Sequence, residues 1–295
     1  HGVVASGAWQ GLLRLASRLR IPVATTPKAK GVFPESHPLS LGVFGLGGHP
    51  RAERYLLGGG CDVLVVLGSG MGELSTNHFD PRLQPRRALV QVDIDFTNIG
   101  RSYAVDLPVL GDLRAVLDAM LARALETGED RSLAPEDPLA ELRATVPAVL
   151  AVETLEGPDR PLKPQRLVRE LETVLGNDGH LWVDIGNSIL WAGHYFQSNR
   201  PGTYHLPLGF ASMGTALAGA IGAKLADPSA PVVALVGDGA FGMNGLEIHT
   251  AAEHDIPVVW IVANNGGHGM VYHGNHCSQR LSTRPAATSA RGKAA

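Results

Sequence analysis

The sequence predicts an α/β fold class with two doubly wound parallel-sheet domains, and three observations support this. Short apolar runs rich in β-branched residues, which are typical of buried parallel strands, alternate with helix-length segments. Glycine-rich polar clusters directly follow several of these runs, as expected where parallel strands end. The 295 residues suffice for two domains of ordinary size, and a composition of 44% apolar and 18% charged residues is that of a globular protein.

Residues 1–126 form the first predicted α/β domain. Its predicted elements are a helix over residues 9–19, strands over residues 21–26, 61–67 and 89–95, and a helix over residues 113–125. The strand over residues 61–67 is a nearly continuous apolar run, which predicts burial on both faces, and Gly68-Ser69-Gly70 follows it. The alternation of strands and helices indicates a doubly wound sheet.

A polar, proline-containing linker over residues 127–160 is predicted to separate this domain from a second one over residues 161–275. The second domain's predicted elements are helices over residues 164–175, 213–226 and 240–254 and strands over residues 181–185, 231–236 and 257–263. We expect Met243, Leu246, Ala251 and Ala252 on the inner face of the last helix, and both of the last strands buried. Residues 276–295 lack periodicity and predict a disordered or non-homologous tail.

Composition also excludes several classes of function. A net charge of −3 gives no electrostatic case for binding nucleic acid or a membrane surface. The apolar runs are far shorter than the ~18–20 residues needed to span a bilayer. Cys61 and Cys277 lack metal-ligand spacing, and a reducing, cytoplasmic setting is therefore predicted. The histidines show no zinc-type spacing, although His268 lies beside the loop considered next.

Two polar clusters are the strongest functional signal in the chain. A 24-residue spacer separates Gly237-Asp238-Gly239 from Asn264-Asn265-Gly266-Gly267. The apolar run before the first cluster predicts a strand, and the spacer continues with a helix-length segment and a second strand. Because such units form parallel sheets, we expect both clusters at the carboxyl ends of neighbouring strands, where open α/β sheets bind ligands.

The residue types in these clusters suit a diphosphate held through a metal ion. Gly237 and Gly239 allow the backbone to approach a phosphate closely, and N–H groups at the start of the next helix can cradle the anion. The Asp238 carboxylate, the Asn265 amide oxygen and the carbonyl of Gly267 are oxygen ligands suited to Mg²⁺. The alternative is an ordinary strand-end turn with a solvated aspartate.

The segment over residues 237–271 resembles the fingerprint of the thiamine-diphosphate-dependent enzyme family. In that family the aspartate, the second asparagine and a carbonyl two residues later bind the metal, and they match Asp238, Asn265 and Gly267. Residues 1–126 look like the central domain of acetolactate (acetohydroxyacid) synthases, on the strength of the stretches over residues 22–26, 30–42 and 92–95. Asn264-Asn265 followed by Gly269-Met270-Val271 also favours a synthase over pyruvate decarboxylase.

The resemblance implies further contacts with thiamine diphosphate. Gly186-Asn187-Ser188 matches a loop that touches the diphosphate, although synthases usually carry Gln-His there, and a plain strand-to-helix turn is the alternative. Met213 matches the apolar wedge that bends the cofactor, and core packing is its alternative. Ala240 and Phe241 follow the aspartate cluster and are expected to offer main-chain N–H groups to phosphate.

The chain also departs from the family pattern. Family members have three α/β domains, of which the first supplies a glutamate that activates the cofactor, and that domain has no counterpart here. We also expect that the first strand of the central domain is missing and that the diphosphate-binding domain is incomplete at its C-terminus. No catalytic residue is therefore assigned in this chain, and Glu247 is expected to face solvent or to pack locally.

FAD is a separate question for the central domain. Acetolactate synthases bind FAD partly through an Arg-Phe-Asp-Asp-Arg stretch, whereas Gly68-Ser69-Gly70-Met71-Gly72-Glu73-Leu74 occupies that place here. His78-Phe79-Asp80-Pro81-Arg82 is only loosely similar, so FAD binding is left open.

The resemblance implies thiamine-diphosphate- and Mg²⁺-dependent C–C bond chemistry on a 2-oxo acid, in which decarboxylation precedes acyl-anion transfer. Such an enzyme is a transferase or a lyase, and the family's intersubunit active sites imply a homodimer or tetramer for the parent protein. A 2-oxo acid decarboxylase of the benzoylformate decarboxylase type is one alternative. A cofactor-binding fragment, inactive without a separate pyrimidine-binding domain, is another.

Overall fold

The structure is a computed structural model that describes residues 1–134 and 136–274. Every strand pair in this part of the chain is parallel, and the strands form three sheets of two, three and four members. The predicted α/β fold class with parallel sheets is confirmed. The predicted tail over residues 276–295, and Cys277 within it, lie outside the described residues.

The first domain contains five strands and four α-helices within residues 1–126. Its strands are β1 (Val23–Thr25), β2 (Ser40–Val43), β3 (Val63–Leu67), β4 (Ala88–Asp93) and β5 (Leu107–Leu110). Its helices are α1 (Gly2–Ala5), α2 (Trp9–Leu19), α3 (Pro50–Leu57) and α4 (Leu113–Glu126). Strand β1 pairs with β2, and β3, β4 and β5 pair in that order.

Helices α2 and α4 show why these segments are helical. In α2 the apolar spacing places Leu12, Leu15 and Ala16 on one buried face. The side chain of Asp112 begins α4 by accepting hydrogen bonds from the N–H groups of Arg114 and Ala115. The two helices lie against each other at Gly11 and Leu117, where a methyl group on Gly11 would already touch the Leu117 side chain at 3.4 Å.

An apolar cavity of about 300 Å³ separates β1 from β3, and His1, Val23 and Val65 are among the residues that line it. Val63 and Val65 of β3 remain 44% and 39% exposed, so the prediction of a strand buried on both faces is wrong here. Within the described residues β3 is hydrogen-bonded to a single neighbour, β4. That a strand is missing from this domain stays a prediction.

The second domain contains four strands in the order β7-β6-β8-β9. They are β6 (His180–Val183), β7 (Tyr204–His205), β8 (Val232–Gly237) and β9 (Val259–Ala263). The helices of this half of the chain are α5 (Ala140–Thr145) in the predicted linker, α6 (Pro164–Leu175), α7 (Asn187–Tyr195), α8 (Thr215–Ala226), α9 (Asp238–Asn244) and α10 (Glu247–Glu253). No described helix combines the length and the apolar character that crossing a membrane requires.

Two predictions about the end of this domain are wrong. The helix expected over residues 240–254 is two helices, α9 and α10, and only Ala251 of its four expected inner residues is buried. Met243 and Leu246 are 57% and 88% exposed, because the helix is interrupted at Gly245 and the expected apolar positions do not share one continuous helix face. Strand β9 lies at the edge of the described sheet, so Val259 remains 57% exposed instead of buried.

The two domains contact each other through polar groups that meet at the C-terminal end of α7. The fully buried Lys30 ammonium of the first domain donates to Glu35 at 2.7 and 2.8 Å and to the carbonyl of Gly193 at 3.1 Å. The ring of His49 bonds the carbonyl of His194 at 3.0 Å, and His194 in turn bonds the carbonyl of Gly48 at 2.7 Å. The far end of α7 is therefore held by the first domain.

Candidate functional site

The carboxyl ends of β6, β8 and β9 meet at one edge of the second sheet. Val183 at the end of β6 is paired with Leu235 of β8, and Gly237 at the end of β8 is paired with Ala263 of β9. Neighbouring strands lie about 4.8 Å apart, so the residues that follow these pairs enter one small region. The two predicted polar clusters and the loop over residues 186–188 are those residues.

Asp238 is the first residue of α9 and follows the extended Gly237 directly. Its side chain is half-buried and makes no hydrogen bond or ion pair with any described residue. The described residues contain no group of three or more His, Cys, Asp or Glu side chains that could hold a metal ion. A metal at this edge would therefore need amide and carbonyl oxygens beside the single Asp238 carboxylate, which is the ligand mixture that suits Mg²⁺.

The loop after β9 presents such oxygens in a compact turn. The Asn264 side chain accepts a hydrogen bond from the N–H of Gly266 at 3.0 Å, and the Asn265 side chain accepts one from Gly267 at 3.3 Å. The carbonyl of Gly267 accepts from the N–H of Gly269 at 3.0 Å. Each oxygen keeps a second lone pair, so these local bonds fix the loop and leave the oxygens of Asn265 and Gly267 able to bind a cation.

Asn187 connects the loop after β6 to the loop after β9. A Cβ atom added to Gly269 would lie 2.5 Å from the amide nitrogens of both Asn187 and Asn265, so the two side chains meet over this glycine. The buried Oδ1 atom of Asn187 has no hydrogen-bond partner within residues 1–134 and 136–274. An unpaired buried oxygen costs about 1–3 kcal/mol, and a ligand, metal ion or water that completes its bonding removes that cost.

Gly239, Met213 and His268 form the opposite side of the site. A Cβ atom on Gly239 would lie 2.6 Å from Cε1 of His268 and 3.4 Å from Cε of Met213. Only glycine therefore leaves room for both side chains at this point of α9. Met213 thus lies beside the aspartate cluster and is only partly buried, and its role as the cofactor wedge stays a prediction.

The remaining predicted residues have mixed roles. Gly186 precedes α7 with a φ of 133°, a conformation that glycine adopts most easily, and Ser188 is buried in the first turn of that helix. Ala240 is fully buried, and the partly buried Phe241 packs against the apolar cluster of α8 and β8, so a contact of their main-chain N–H groups with phosphate stays a prediction. Glu247 is exposed, as expected.

Asp184 is a residue of this region that the sequence analysis did not single out. It follows β6 directly and is fully buried, and its carboxylate bonds main-chain N–H groups beside Met213. An ionisable residue inside an apolar run, two positions before Gly186, is the signal that could have identified it.

Two family models match the chain. Residues 1–120 match the thiamine pyrophosphate enzyme central domain, and residues 184–293 match the C-terminal thiamine-pyrophosphate-binding domain of the same enzymes. The chain belongs to the thiamine pyrophosphate (thiamine diphosphate) enzyme family. The second match includes most of residues 276–295, and the boundaries assigned from the sequence stay a prediction.

The curated relatives point to one branch of this family. The chain is 38% identical over 274 residues to a probable acetolactate synthase large subunit of Methanocaldococcus jannaschii, covering 92% of this chain and 46% of the relative. It is 35% identical over 268 residues to a putative acetolactate synthase large subunit of Mycobacterium tuberculosis, covering 90% of this chain and 47% of the relative. The chain thus spans less than half the length of these relatives.

Proposed function

We propose that this chain provides the cofactor-anchoring part of an enzyme of the acetolactate synthase type, which acts on a 2-oxo acid with thiamine diphosphate and Mg²⁺. The observation that carries the proposal is the unpartnered Asp238 carboxylate, in a matched cofactor-binding domain, at the sheet edge that also holds Asn265 and Asn187. When bound, thiamine diphosphate supplies a carbon nucleophile and an electron sink for decarboxylation.

The chain's own residues divide the work of binding. Asp238, Asn265 and the Gly267 carbonyl would hold Mg²⁺, and the glycines at Gly237 and Gly186 leave the backbone there accessible to phosphate oxygens. The Asn187 amide offers a buried oxygen that is still unpaired, beside the Asn265 amide. These groups hold charge and orient the anion, and none of them is proposed to transfer a proton.

Activation of the cofactor is proposed to come from a glutamate outside this chain. Glu247, the glutamate next to α9 in sequence, is exposed and lies beyond the turn at Gly245. We also propose a homodimer or tetramer of the complete protein. This oligomer is proposed from the resemblance to a family whose active sites lie between subunits.

Calorimetric titration with thiamine diphosphate in the presence of Mg²⁺ tests the site. Asp238→Asn keeps the side-chain volume but removes the charge, so we expect a Kd at least 10-fold higher and a loss of Mg²⁺ dependence. Asp255→Asn is the matched control, because Asp255 is exposed and precedes the amino end of β9, away from the carboxyl ends of the strands where the site lies. Unchanged binding by Asp238→Asn would refute the metal assignment.

Product analysis of the complete gene product tests the reaction type. Incubated with pyruvate, thiamine diphosphate and Mg²⁺, it is expected to form acetolactate, and Asp238→Asn is expected to abolish that product. Acetaldehyde as the sole product from pyruvate, or turnover of benzoylformate alone, would replace the synthase by the decarboxylase alternative. Gel filtration with light scattering of the same sample tests the oligomer.

A further inference from the structure

Asp184 is a fully buried carboxylate whose hydrogen-bond donors are main-chain N–H groups. Its Oδ1 atom accepts from Ile185 and from Gly214, and its Oδ2 atom accepts from Ala216, each at 2.8 Å. Burial raises the pKa of this carboxyl, and the three N–H donors act in the opposite direction because they stabilise the charged form. Burying a carboxylate costs free energy, so we expect Asp184 to have a structural role in positioning the main chain that it bonds.

The carboxylate joins two chain segments that are 30 residues apart. One is the end of β6, which leads within two residues into Gly186-Asn187-Ser188. The other is the turn that carries Met213 and continues into α8. Gly214 in this turn has a φ of 85°, and a Cβ atom on it would lie 2.7 Å from the Asn244 amide of α9. The main chain next to Met213 is therefore held between Asp184 on one side and α9 on the other.

Capping of α8 does not by itself account for this arrangement. A helix cap is ordinarily supplied by the residue next to the helix, as Asp112 does for α4. Asp184 instead reaches across from another element, and it bonds Gly214 ahead of the helix as well as Ala216 inside it. The bond to Gly214 fixes the residue that follows Met213, which is the side chain that lies beside Gly239.

We propose that Asp184 is a positioning residue that sets Met213 against the cofactor, an inference that rests on the proposed binding of thiamine diphosphate at this sheet edge. Among the described residues Asp184 makes no hydrogen bond to Asp238, Asn265 or Gly267, and its two long-range bonds go to the main chain that follows Met213. Its removal should therefore affect recognition of the part of the cofactor beyond the diphosphate and leave the metal–diphosphate anchor in place.

The test compares two probes that share the diphosphate. Asp184→Asn keeps the size of the side chain but turns an N–H group towards a backbone N–H donor. We expect Kd for thiamine diphosphate with Mg²⁺ to rise about 10- to 100-fold, as for the loss of a charge-assisted hydrogen bond, and Kd for inorganic pyrophosphate with Mg²⁺ to change less than about threefold. Equal weakening for both probes would overturn the proposal.

A double-mutant cycle shows whether Asp184 acts through Met213. If Asp184 acts through Met213, the single variant Met213→Ala and the double variant Asp184→Asn/Met213→Ala should bind thiamine diphosphate equally weakly. Once the Met213 side chain is removed, Asp184→Asn can no longer displace it. Additive losses would show that the two residues act separately and would overturn the proposal. Asp112→Ala, which removes the side-chain cap on α4 in the other domain, is the control and is expected to lower the melting temperature without changing either Kd.

Two other outcomes can be told apart from a wrong assignment of Asp184: a variant that does not fold, and a protein that does not bind thiamine diphosphate at all. If Asp184→Asn loses its circular dichroism signal, Gly214→Ala displaces the same turn from the other side, and it is expected to give the same selective loss of thiamine diphosphate binding. Selective loss supports the inference, and unchanged binding by a folded Gly214→Ala overturns it. Wild-type protein that binds neither probe refutes the proposed function itself.

Discussion

Replacing Lys30 by methionine should destabilise the contact between the two domains strongly. The Lys30 ammonium is completely buried, and Glu35, its partner at 2.7 Å, is only 6% exposed. Methionine fills similar space but leaves the Glu35 carboxylate with a single described donor, the N–H of Ser198 at 2.8 Å, and leaves the Gly193 carbonyl without its donor. Breaking a buried pair by removing one partner costs about 3–5 kcal/mol, so we expect that loss in the free energy of unfolding.

Urea unfolding followed by tryptophan fluorescence and circular dichroism measures this loss. Lys30→Met/Glu35→Gln removes both charges, and we expect it to recover most of the stability lost by Lys30→Met alone. Arg123→Met is the matched control, because its pair with Glu126 is 74% and 66% exposed and such pairs contribute about 0–1 kcal/mol. A single mutant within 1 kcal/mol of wild type, or a double mutant no more stable than the single one, would refute the reasoning.

Three further predictions concern pH, the site and the core. Burial, then the charges of Lys30 and His194, lowers the pKa of His49 to about 3, so the unfolded chain binds the proton first and stability should fall as pH decreases from 6.5 towards 3. The loss is about 2 kcal/mol at pH 5, and urea unfolding of His49→Gln should show a shallower dependence on pH; an unchanged slope would contradict this. Gly239→Ala should weaken thiamine diphosphate binding in calorimetry, because its methyl group would lie 2.6 Å from the His268 ring, and adding His268→Ala should restore it; wild-type affinity of Gly239→Ala alone would contradict the packing. Leu217→Ala, at a fully buried position of α8, should cost about 2–5 kcal/mol in urea unfolding, whereas Leu225→Ala, 63% exposed on the same helix, should cost less than about 0.5; similar costs would contradict the assigned core face.

Local pattern predicted the elements that carry the site. Strand β8 is an apolar run rich in β-branched residues and is buried from Val232 to Val236, and its end places Asp238. The pattern could not show what lies beside a strand: β3 and β9 have equally apolar sequences, yet Val65 and Val259 remain exposed because each strand lacks a described neighbour on one side. Asp184 was missed for a related reason, since two of its three hydrogen-bond donors, Gly214 and Ala216, are 30 or more residues away in sequence.

Helix α7 connects the first domain to the candidate cofactor site. None of the described residues of the first domain is a predicted cofactor or metal ligand, so any influence of that domain on the site has to be indirect. The helix spans nine residues, or about 13 Å, from Asn187 beside Asn265 to Tyr195 near the domain contact. At its far end the carbonyls of Gly193 and His194 accept from Lys30 and His49, which puts a positive charge where the helix dipole is negative. Because a helix this short moves as a rigid body, a shift of this contact would displace Asn187 as well. Lys30→Met should therefore weaken binding of inorganic pyrophosphate in addition to stability, and undiminished pyrophosphate binding by a folded variant would show that α7 is held by its own domain alone.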